Sequence, residues 1–190
     1  MGTRNLIAVF FDGEYRVAQY SQWDGYPEGQ GATCLKFCQN LSDGGFRREF
    51  EQKLKACSWA TSEYIDAINE RIKSGELDDY TRVYPELSRD TGADILELVY
   101  KSENGLKLRN RINFAANSLF CEYAWVIDLD KNTFEGYEGF NKEALTENER
   151  FYFLSDKAED GYMPVKLVAE WQLDNLPTLD EMCTPFNEDE

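Results

Sequence analysis

The sequence LIAVFFDGEYRVAQYSQWDGYPEGQG, residues 6–31, decides how the chain begins to fold. Residues 6–11 form an unbroken apolar run, which predicts a strand buried on both faces and therefore central in its sheet. Asp12-Gly13 follows, and this pair favours a type I′ turn because both central residues of that turn need positive φ. Residues 14–20 show the mixed alternation of a second strand, so the stretch predicts a β-hairpin.

The hairpin leads into a loop crowded with aromatic residues. The second strand is expected to end at residues 22–23, where Gly and Pro residues begin to break regular structure. Tyr20, Trp23 and Tyr26 have two interpretations. Aromatic side chains on a rigid loop anchor a partner well, and they also cover the open end of a sheet, which is the favoured interpretation. Together with Asp24 they are kept as candidate binding residues.

Short segments of this region carry a resemblance to a known family. MGTRNL, DGEYRVAQY and QWDGYPEGQG resemble the opening of a family of small uncharacterised proteins found mainly in phages and prophages. In that family a Gly-Thr-Arg start leads into a hairpin and a Trp-Asp-Gly-Tyr-Pro loop. The segment YAWVIDLDKNTFEGYEGF, residues 123–140, is similar to its later hairpin. The resemblance implies a phage setting, with anti-CRISPR proteins as the expected class, and it implies no catalytic residues.

The start of the chain is also similar, at the level of fold, to N-terminal-nucleophile hydrolases. Those enzymes expose Cys, Ser or Thr once the initiator Met is removed. This chain has Gly2 at that position, which offers no nucleophile, and Thr3 would need further trimming. We therefore expect a kinship of fold without the chemistry. A hydrolase of this type, or a carboxylate-based one, is the alternative function, with residues 2–4, the Asp24 loop and Asp128 as its site.

The charge of the chain limits its partners. It has 36 acidic and 20 basic residues, a net charge of −16 and no His. Direct binding to nucleic acid needs basic surface, so that role is disfavoured, and the charge favours solubility or a positively charged partner. Without His the usual general base is missing, which excludes Ser-His-Asp and Cys-His catalysis. We therefore expect a protein that is not an enzyme and needs no cofactor.

The cysteines are expected to be reduced and structural. There are five of them and no secretory signal, which predicts a cytoplasmic protein. Cys34 and Cys38 share one face of a predicted helix. Burial as small residues is the favoured interpretation. A metal site is the alternative, and it would need a further ligand, with Cys57 the nearest. No apolar run is long enough to cross a membrane.

The rest of the chain predicts an α+β fold. About four amphipathic helices are expected between residues 33 and 102, at 33–41 with Thr33 as N-cap, 46–57, 62–74 and 93–102. Later strands are expected at 123–129, 134–137, 151–154 and 165–173. Because strands and helices come in separate blocks, we expect one antiparallel sheet built from N-terminal and C-terminal hairpins, with the helices packed on it. Residues 1–185 are expected to form a single domain and 186–190 a frayed acidic tail.

A partial calcium-binding pattern lies between two of these strands. Asp128, Asp130 and Asn132 occupy positions 1, 3 and 5 of an EF-hand loop. Thr133 stands where the pattern requires Gly, and Gly139 stands where it requires Glu. A hairpin loop at residues 130–133 is the favoured interpretation, and a weak calcium site is the alternative.

These observations lead to three hypotheses. The first is a phage counter-defence protein that binds and inhibits a host immune effector without catalysis. An RNA-guided (CRISPR) nuclease is the expected partner, because it holds nucleic acid in a positively charged channel that an acidic surface can block. The hydrolase above is the second hypothesis. The third is a phage structural or regulatory protein that binds through the aromatic loop. The sequence does not indicate an oligomeric state.

The acidic surface of the first hypothesis is assigned to the second half of the chain. Its candidate contact residues are Glu135, Glu138, Asp156, Glu159, Asp160, Asp174, Asp180 and Glu181. The sequence indicates one basic patch, on the polar face of the helix at 46–57, and a solvated face is its expected role. It consists of Arg47, Arg48, Lys53 and Lys55.

Overall fold

The computed structural model describes residues 2–187, and its central element is a five-stranded sheet. The strands are Asn5–Phe11 (β1), Glu14–Ser21 (β2), Ser58–Trp59 (β3), Lys107–Leu108 (β4), Tyr123–Asp128 (β5), Thr133–Glu138 (β6) and Lys166–Gln172 (β7). The helices are Ala32–Asn40 (α1), Gly44–Ala56 (α2), Ser62–Lys73 (α3), Tyr80–Val83 (α4), Ile95–Lys101 (α5) and Leu179–Cys183 (α6). The sheet has the strand order β2-β1-β5-β6-β7, and β3 pairs separately with β4. The expected α+β fold is confirmed.

The N-terminal hairpin forms as the sequence predicts. β1 and β2 pair antiparallel, and the turn between them has φ of 57° at Asp12 and 77° at Gly13. Alternate side chains of β1 enter two different hydrophobic clusters, with Ile7 in one and Leu6 in the other, and both are fully buried. The strand is therefore covered on both faces, which is why its sequence is apolar without interruption.

The sheet is mostly antiparallel and departs from the expectation at one pairing. β1 pairs with β5 in parallel, with Ile7 opposite Trp125. Parallel neighbours need a long crossover rather than a tight turn. The helical segment between β2 and β5 supplies that crossover, so the two hairpins meet side by side with their first strands parallel.

One face of the sheet is covered by α1, α2 and α5. Phe50 and Ile95 from these helices belong to the same buried cluster as Trp125 of β5. The indole Nε1 of Trp125 donates a hydrogen bond to the Gly25 carbonyl at 3.0 Å. A Cβ on Gly31 would lie 2.6 Å from Cζ2 of the same indole. The loop after the hairpin is thus packed directly on the sheet.

This loop is more regular than its composition suggests. Pro27–Gly31 forms a π-helical turn that continues into α1. Thr33 therefore lies inside the helix, and its expected role as N-cap is wrong. Asp43 caps the next helix, since its carboxylate accepts hydrogen bonds from the backbone N–H groups of Gly45 and Phe46 at the start of α2.

The opposite face of the sheet is covered by segments with little regular structure. Phe151 and Leu154 are fully buried there, against a cluster that includes Val126. The expected strand at 151–154 is wrong, because Tyr152–Lys157 is a 3₁₀ helix. Residues three apart lie on the same side of such a helix, so the spacing of Phe151 and Leu154 suits it better than a strand.

The end of the described chain returns to the centre of the sheet. The Phe186 ring lies 5.3 Å from the Trp125 ring, measured between centroids, and a Cβ on Gly136 would lie 2.7 Å from Cζ of Phe186. The domain therefore extends at least to Phe186, and the frayed tail expected at 186–190 begins too early. Residues 188–190 lie outside the described part of the chain. None of the helices within residues 2–187 has the length and apolar character needed to cross a membrane.

Candidate functional site

A cleft of about 1040 Å³ opens beside β2, an edge strand of the sheet. Its walls come from Arg4 just before β1, the end of β2, α4 with the segments on its two sides, and the segment 109–120. Backbone contacts attach these walls to the strand. Arg111 N donates to the Ala18 carbonyl at 2.9 Å, and Gln22 N donates to the Arg89 carbonyl at 3.1 Å. The cleft is therefore built on a fixed edge of the sheet.

Four arginine side chains line this cleft: Arg4, Arg89, Arg109 and Arg111. Arg4 pairs with Glu122 at 3.7 Å. Within residues 2–187, no carboxylate lies within 4.0 Å of the guanidinium nitrogens of the other three. Acidic residues outnumber basic ones by 36 to 20 in this chain, so partners for arginine are abundant. Arg89 and Arg111 are exposed to solvent and Arg109 is partly buried, so the three guanidinium groups are left to water or to a ligand.

Carboxylates balance only part of the positive charge of the cleft. Asp79 and Asp90 are the acidic residues that line it, against four guanidinium groups. The Asp90 carboxylate also accepts a hydrogen bond from Trp23 Nε1 at 2.9 Å. Although the chain as a whole is strongly acidic, this concave surface carries an excess of positive charge, which favours an anion.

Arg109 is the most constrained of the four arginines. Its Nε donates to the Leu87 carbonyl at 3.1 Å, and its guanidinium carbon lies 5.0 Å from the centroid of the Tyr80 ring. Burial lowers the pKa of the Arg109 guanidinium from its ordinary value, and the positive charge of neighbouring Arg111 lowers it further. The group stays charged, because the ordinary pKa of arginine is far above neutral. An anion bound between Arg109 and Arg111 would offset both penalties.

Aromatic side chains form a second part of the cleft wall. The Tyr20 and Phe114 rings meet edge to face, with centroids 4.8 Å apart. The Arg4 guanidinium lies 4.7 Å from the centroid of the Phe120 ring, and Phe120 is 40% exposed. Charged and aromatic surfaces thus lie side by side in the same cleft.

The structure separates the three aromatic residues that lie close together in the sequence around the end of the first hairpin. Tyr20 lines the cleft, and Trp23 reaches its rim through the hydrogen bond to Asp90. Tyr26 lies instead beside Tyr123, at 6.0 Å between ring centroids. Trp23 is 45% exposed and Tyr26 is 48% exposed. Both side chains are thus partly covered, and Tyr26 lies against the first residue of β5, at one end of the sheet. Asp24 is exposed and has a positive φ of 55°.

Most of the predicted acidic contact residues lie at the surface, and one does not. Glu135 is 1% exposed, so its expected role in contacting a partner is wrong. Glu138 is partly buried, and Glu181 is exposed but accepts a hydrogen bond from the Thr178 backbone N–H in the capping box of α6. The remaining five are exposed: Asp156, Glu159, Asp160, Asp174 and Asp180.

Glu135 belongs to a buried ionic cluster around Arg150. The Nε of Arg150 donates to Glu135 Oε2 at 2.6 Å, and its Nη2 contacts Asp128 as well as Glu135. Thr133 and Tyr137 donate their hydroxyl protons to the same Glu135 carboxylate. Hydrogen bonds thus satisfy the carboxylate on every side. This arrangement explains how two acidic side chains are accommodated beneath the surface.

The residues of the alternative hydrolase site are not brought together. Asp128 stands opposite Phe10 at one end of β1, whereas Gly25, next to Asp24, donates its N–H to the Thr3 carbonyl beyond the other end. Strands rise roughly 3.3 Å per residue, so the length of β1 keeps the two aspartates about 15 Å or more apart.

The partial calcium pattern forms a hairpin loop between β5 and β6, which confirms the favoured interpretation. Asp130 accepts hydrogen bonds from the N–H groups of Asp12 and Gly13, both at 2.9 Å. Asn132 Oδ1 accepts from Arg47 at 2.5 Å. These oxygens therefore join the loop to the first hairpin and to α2. Among residues 2–187, no group of three or more His, Cys, Asp or Glu is placed to hold a metal ion.

Cys34 and Cys38 lie fully buried in the core, as the favoured interpretation predicts. Burial raises the pKa of both thiols. They are neutral, inward-facing groups at neutral pH, and they pack as small apolar side chains do.

No local sequence pattern indicates the arginine group of the cleft. Arg4, Arg89 and the pair Arg109 and Arg111 come from three distant parts of the chain, and no local pattern links them. The only local signal is the Arg-Asn-Arg triplet at 109–111. The basic patch that the sequence does indicate, on α2, differs from the cleft because its Arg47 already has partners. The Arg47 guanidinium donates hydrogen bonds to the Glu51 carboxylate and to the Leu129 carbonyl.

Comparison with protein-family models, with curated proteins and with solved structures gave no match to this chain.

Proposed function

We propose that this protein is a binding protein that recognises an anionic ligand in the arginine-lined cleft. The observation that carries the proposal is the set of three arginines, Arg89, Arg109 and Arg111, that line one cleft without a carboxylate partner among residues 2–187. The chain surrounding them has a net charge of −16. Like charges that converge in a cleft repel each other, so their arrangement is explained best by a bound counter-charge.

The chemistry of the cleft suits a compact oxyanion. A guanidinium presents planar, parallel N–H donors, which match the oxygens of a phosphate or carboxylate in pairs. Arg109 is held in a fixed orientation by Leu87 and Tyr80, so less conformational entropy is lost when an anion binds. The volume of about 1040 Å³ is at the upper end of the range for small-molecule sites.

The role is binding without catalysis. The chain has no His to act as a general base near neutral pH. Of the two carboxylates of the cleft, that of Asp90 is already engaged, since it accepts a hydrogen bond from the Trp23 indole N–H. The proposal therefore assigns the cleft residues to recognition and not to bond making, and it requires no cofactor.

The test is a calorimetric titration with inorganic tripolyphosphate. The variant Arg109→Gln/Arg111→Gln should lower the affinity roughly 100-fold or more, since it removes two charge-assisted contacts that each contribute about 1.5 kcal/mol or more. The matched control is Arg71→Gln/Arg82→Gln, which removes the same charge from two exposed arginines that pair with Glu76 and Asp78. Equal losses in the two variants, or no binding by the parent protein, would overturn the proposal.

A second candidate function uses the opposite charge. We propose that the exposed acidic residues can bind a basic protein partner, such as an RNA-guided nuclease of a host defence system in the bacterial cytoplasm. The supporting observation is that Asp156, Glu159 and Asp160 lie exposed on one short segment of an acidic chain. The phage resemblance of the opening residues gives the setting.

Guide-dependent DNA cleavage, measured with and without the protein, tests this second candidate. Asp156→Lys/Glu159→Lys should abolish inhibition, whereas Glu103→Lys/Glu147→Lys, at exposed positions elsewhere, should retain it. Inhibition that survives the first variant, or no inhibition at all, would count against the acidic surface. The Arg109→Gln/Arg111→Gln variant should inhibit as the parent does, which separates the two candidates.

A further inference from the structure

We infer that the ligand of the cleft is a nucleoside phosphate, with its phosphates at Arg109 and Arg111 and its base against the aromatic wall formed by Tyr20, Phe114 and Phe120. This inference rests on the proposed function and adds the chemical class of the ligand. Three observations support it: aromatic rings lie beside the arginines, the cleft presents N–H donors from arginine and asparagine side chains, and the rest of the chain is negatively charged.

The aromatic wall lies next to the arginines along the same strand. The backbone of Arg111 is bonded to Ala18, and the Phe114 ring contacts Tyr20, two residues further along β2. Phe120 exposes 40% of its surface within a lining that is otherwise rich in charge. A planar nucleobase can stack on an exposed aromatic ring of this kind, because every base has a flat π-face.

Three asparagine side chains add hydrogen-bond donors to the cleft. Each accepts a hydrogen bond through its amide oxygen: Asn110 accepts from Ile112 N at 3.1 Å, and Asn117 accepts from Leu119 N at 3.2 Å. The Asn113 oxygen accepts from Lys157 Nζ at 2.9 Å.

Each of these oxygens already accepts one hydrogen bond, whereas within residues 2–187 none of the three NH₂ groups donates one, so these groups are available to donate to a ligand. An amide NH₂ is a donor only, as a guanidinium is. The cleft therefore presents donors from both its arginines and its amides. A nucleoside phosphate is rich in matching acceptors, because its phosphate oxygens, ribose oxygens and base carbonyl or ring nitrogen atoms all accept.

The charge outside the cleft favours a small ligand over a nucleic-acid strand. The chain carries a net charge of −16, so a long polyanion that extends beyond the cleft meets repulsion from the surrounding surface. Screening confines the attraction of the arginines to about 8 Å at physiological ionic strength. A ligand that places its phosphates inside the cleft gains this attraction without the repulsion outside.

The experiment compares nucleotides with base-free phosphates by calorimetry. The panel contains the mono-, di- and triphosphates of the four common ribonucleosides, together with inorganic phosphate, pyrophosphate and tripolyphosphate. We expect at least one nucleotide to bind tenfold or more tightly than the phosphate chain of equal length. Phe120→Ala should lower the nucleotide affinity at least fivefold more than the affinity for the matching inorganic phosphate.

Phe153→Ala is the matched control, because Phe153 is 52% exposed and lies outside the lining of the cleft. It should leave both affinities unchanged. Inorganic phosphates that bind as tightly as every nucleotide would overturn the inference and leave the proposed anion binding intact. A single-stranded oligonucleotide that binds more tightly than every nucleotide would also overturn it. If neither phosphates nor nucleotides bind, the proposed function fails together with the inference.

Discussion

Arg109 lies over the ring of Tyr80, with its guanidinium carbon 5.0 Å from the ring centroid. The ring attracts the cation through its quadrupole. A cation–π contact leaves the net charge of the guanidinium in place, and no carboxylate of residues 2–187 pairs with it. This half-buried guanidinium is held in place without being neutralised, which is the condition expected of a group that receives an anionic ligand.

Removing the Tyr80 ring should weaken anion binding without removing any charge. Tyr80→Ala is expected to lower the affinity for tripolyphosphate roughly two- to fivefold, since the cation–π contact contributes about 0.5–1 kcal/mol to holding Arg109. Tyr80→Phe keeps the ring, so its affinity for tripolyphosphate should stay within about a factor of two of the parent's. That factor corresponds to about 0.4 kcal/mol of binding free energy. The measurement is the calorimetric dissociation constant. An equal loss in the two variants would show that the ring does not position Arg109.

Arg150 is expected to be the side chain whose loss destabilises the fold most through electrostatics. Its side chain is 8% exposed, and those of its partners Asp128 and Glu135 are 1% and 2% exposed. Arg150→Met would leave two buried carboxylates without a cation, at a cost of roughly 3–5 kcal/mol. Urea unfolding measures the change. The control Arg82→Met removes an exposed arginine and should cost less than about 1 kcal/mol. Similar losses from the two variants would contradict the account.

The close contact between Gly31 and Trp125 predicts a steric effect. A Cβ at Gly31 would lie 2.6 Å from the indole, which is fully buried and cannot move freely. Gly31→Ala should therefore lower the free energy of unfolding by about 1–3 kcal/mol. Gly44→Ala is the control, because a Cβ there meets nothing within 4 Å and lies at the start of α2. It should be neutral or stabilise by up to about 1 kcal/mol. Thermal or urea unfolding distinguishes the two outcomes.

The buried thiols predict a loss of stability in alkaline solution. Burial raises the pKa of Cys34, Cys38 and Cys121 above the ordinary value of 9.0. Above about pH 9 the unfolded chain releases these protons and the folded chain keeps them, so the unfolded state binds fewer protons and stability falls as the pH rises. Each thiol contributes a loss of about 1.4 kcal/mol one pH unit above its ordinary pKa.

Burial also raises the pKa of Tyr123, to about 12, which adds a loss of the same sign at higher pH. Urea unfolding at about pH 8 and about pH 10 measures the thiol effect. Cys34→Ala should lose less stability between the two pH values than the parent does. An identical loss in the variant would show that the Cys34 thiol makes no contribution.

Local sequence patterns predicted the parts of the fold that local interactions determine. Asp12-Gly13 has the positive φ values that its turn type requires, and the apolar run of β1 is buried on both faces. The parallel pairing of β1 with β5 could not be predicted in this way, because it depends on where the long crossover returns the chain. The 3₁₀ helix at Tyr152–Lys157 was missed because a short apolar run fits either period.

The candidate site was predictable only in fragments. Tyr20 was identified from the sequence and does line the cleft, but as a member of an aromatic loop that the fold divides. Glu135 was identified as a surface residue because its neighbours in the sequence do not reveal that Arg150 pairs with it from fifteen positions away. The arginines of the cleft meet only through tertiary structure, since Arg4 precedes β1 whereas Arg109 lies in the crossover between β2 and β5.

The most direct test of the arginine-lined cleft is to locate a bound oxyanion by crystallography. Tungstate has the tetrahedral geometry of phosphate, and its heavy atom scatters anomalously. Crystals of the parent protein soaked in tungstate should show an anomalous peak within hydrogen-bonding distance of the guanidinium groups of Arg109 and Arg111, and crystals of Arg109→Gln/Arg111→Gln should lack it. Peaks found only at other surfaces, or an unchanged peak in the variant, would contradict the claim that this cleft binds an anion.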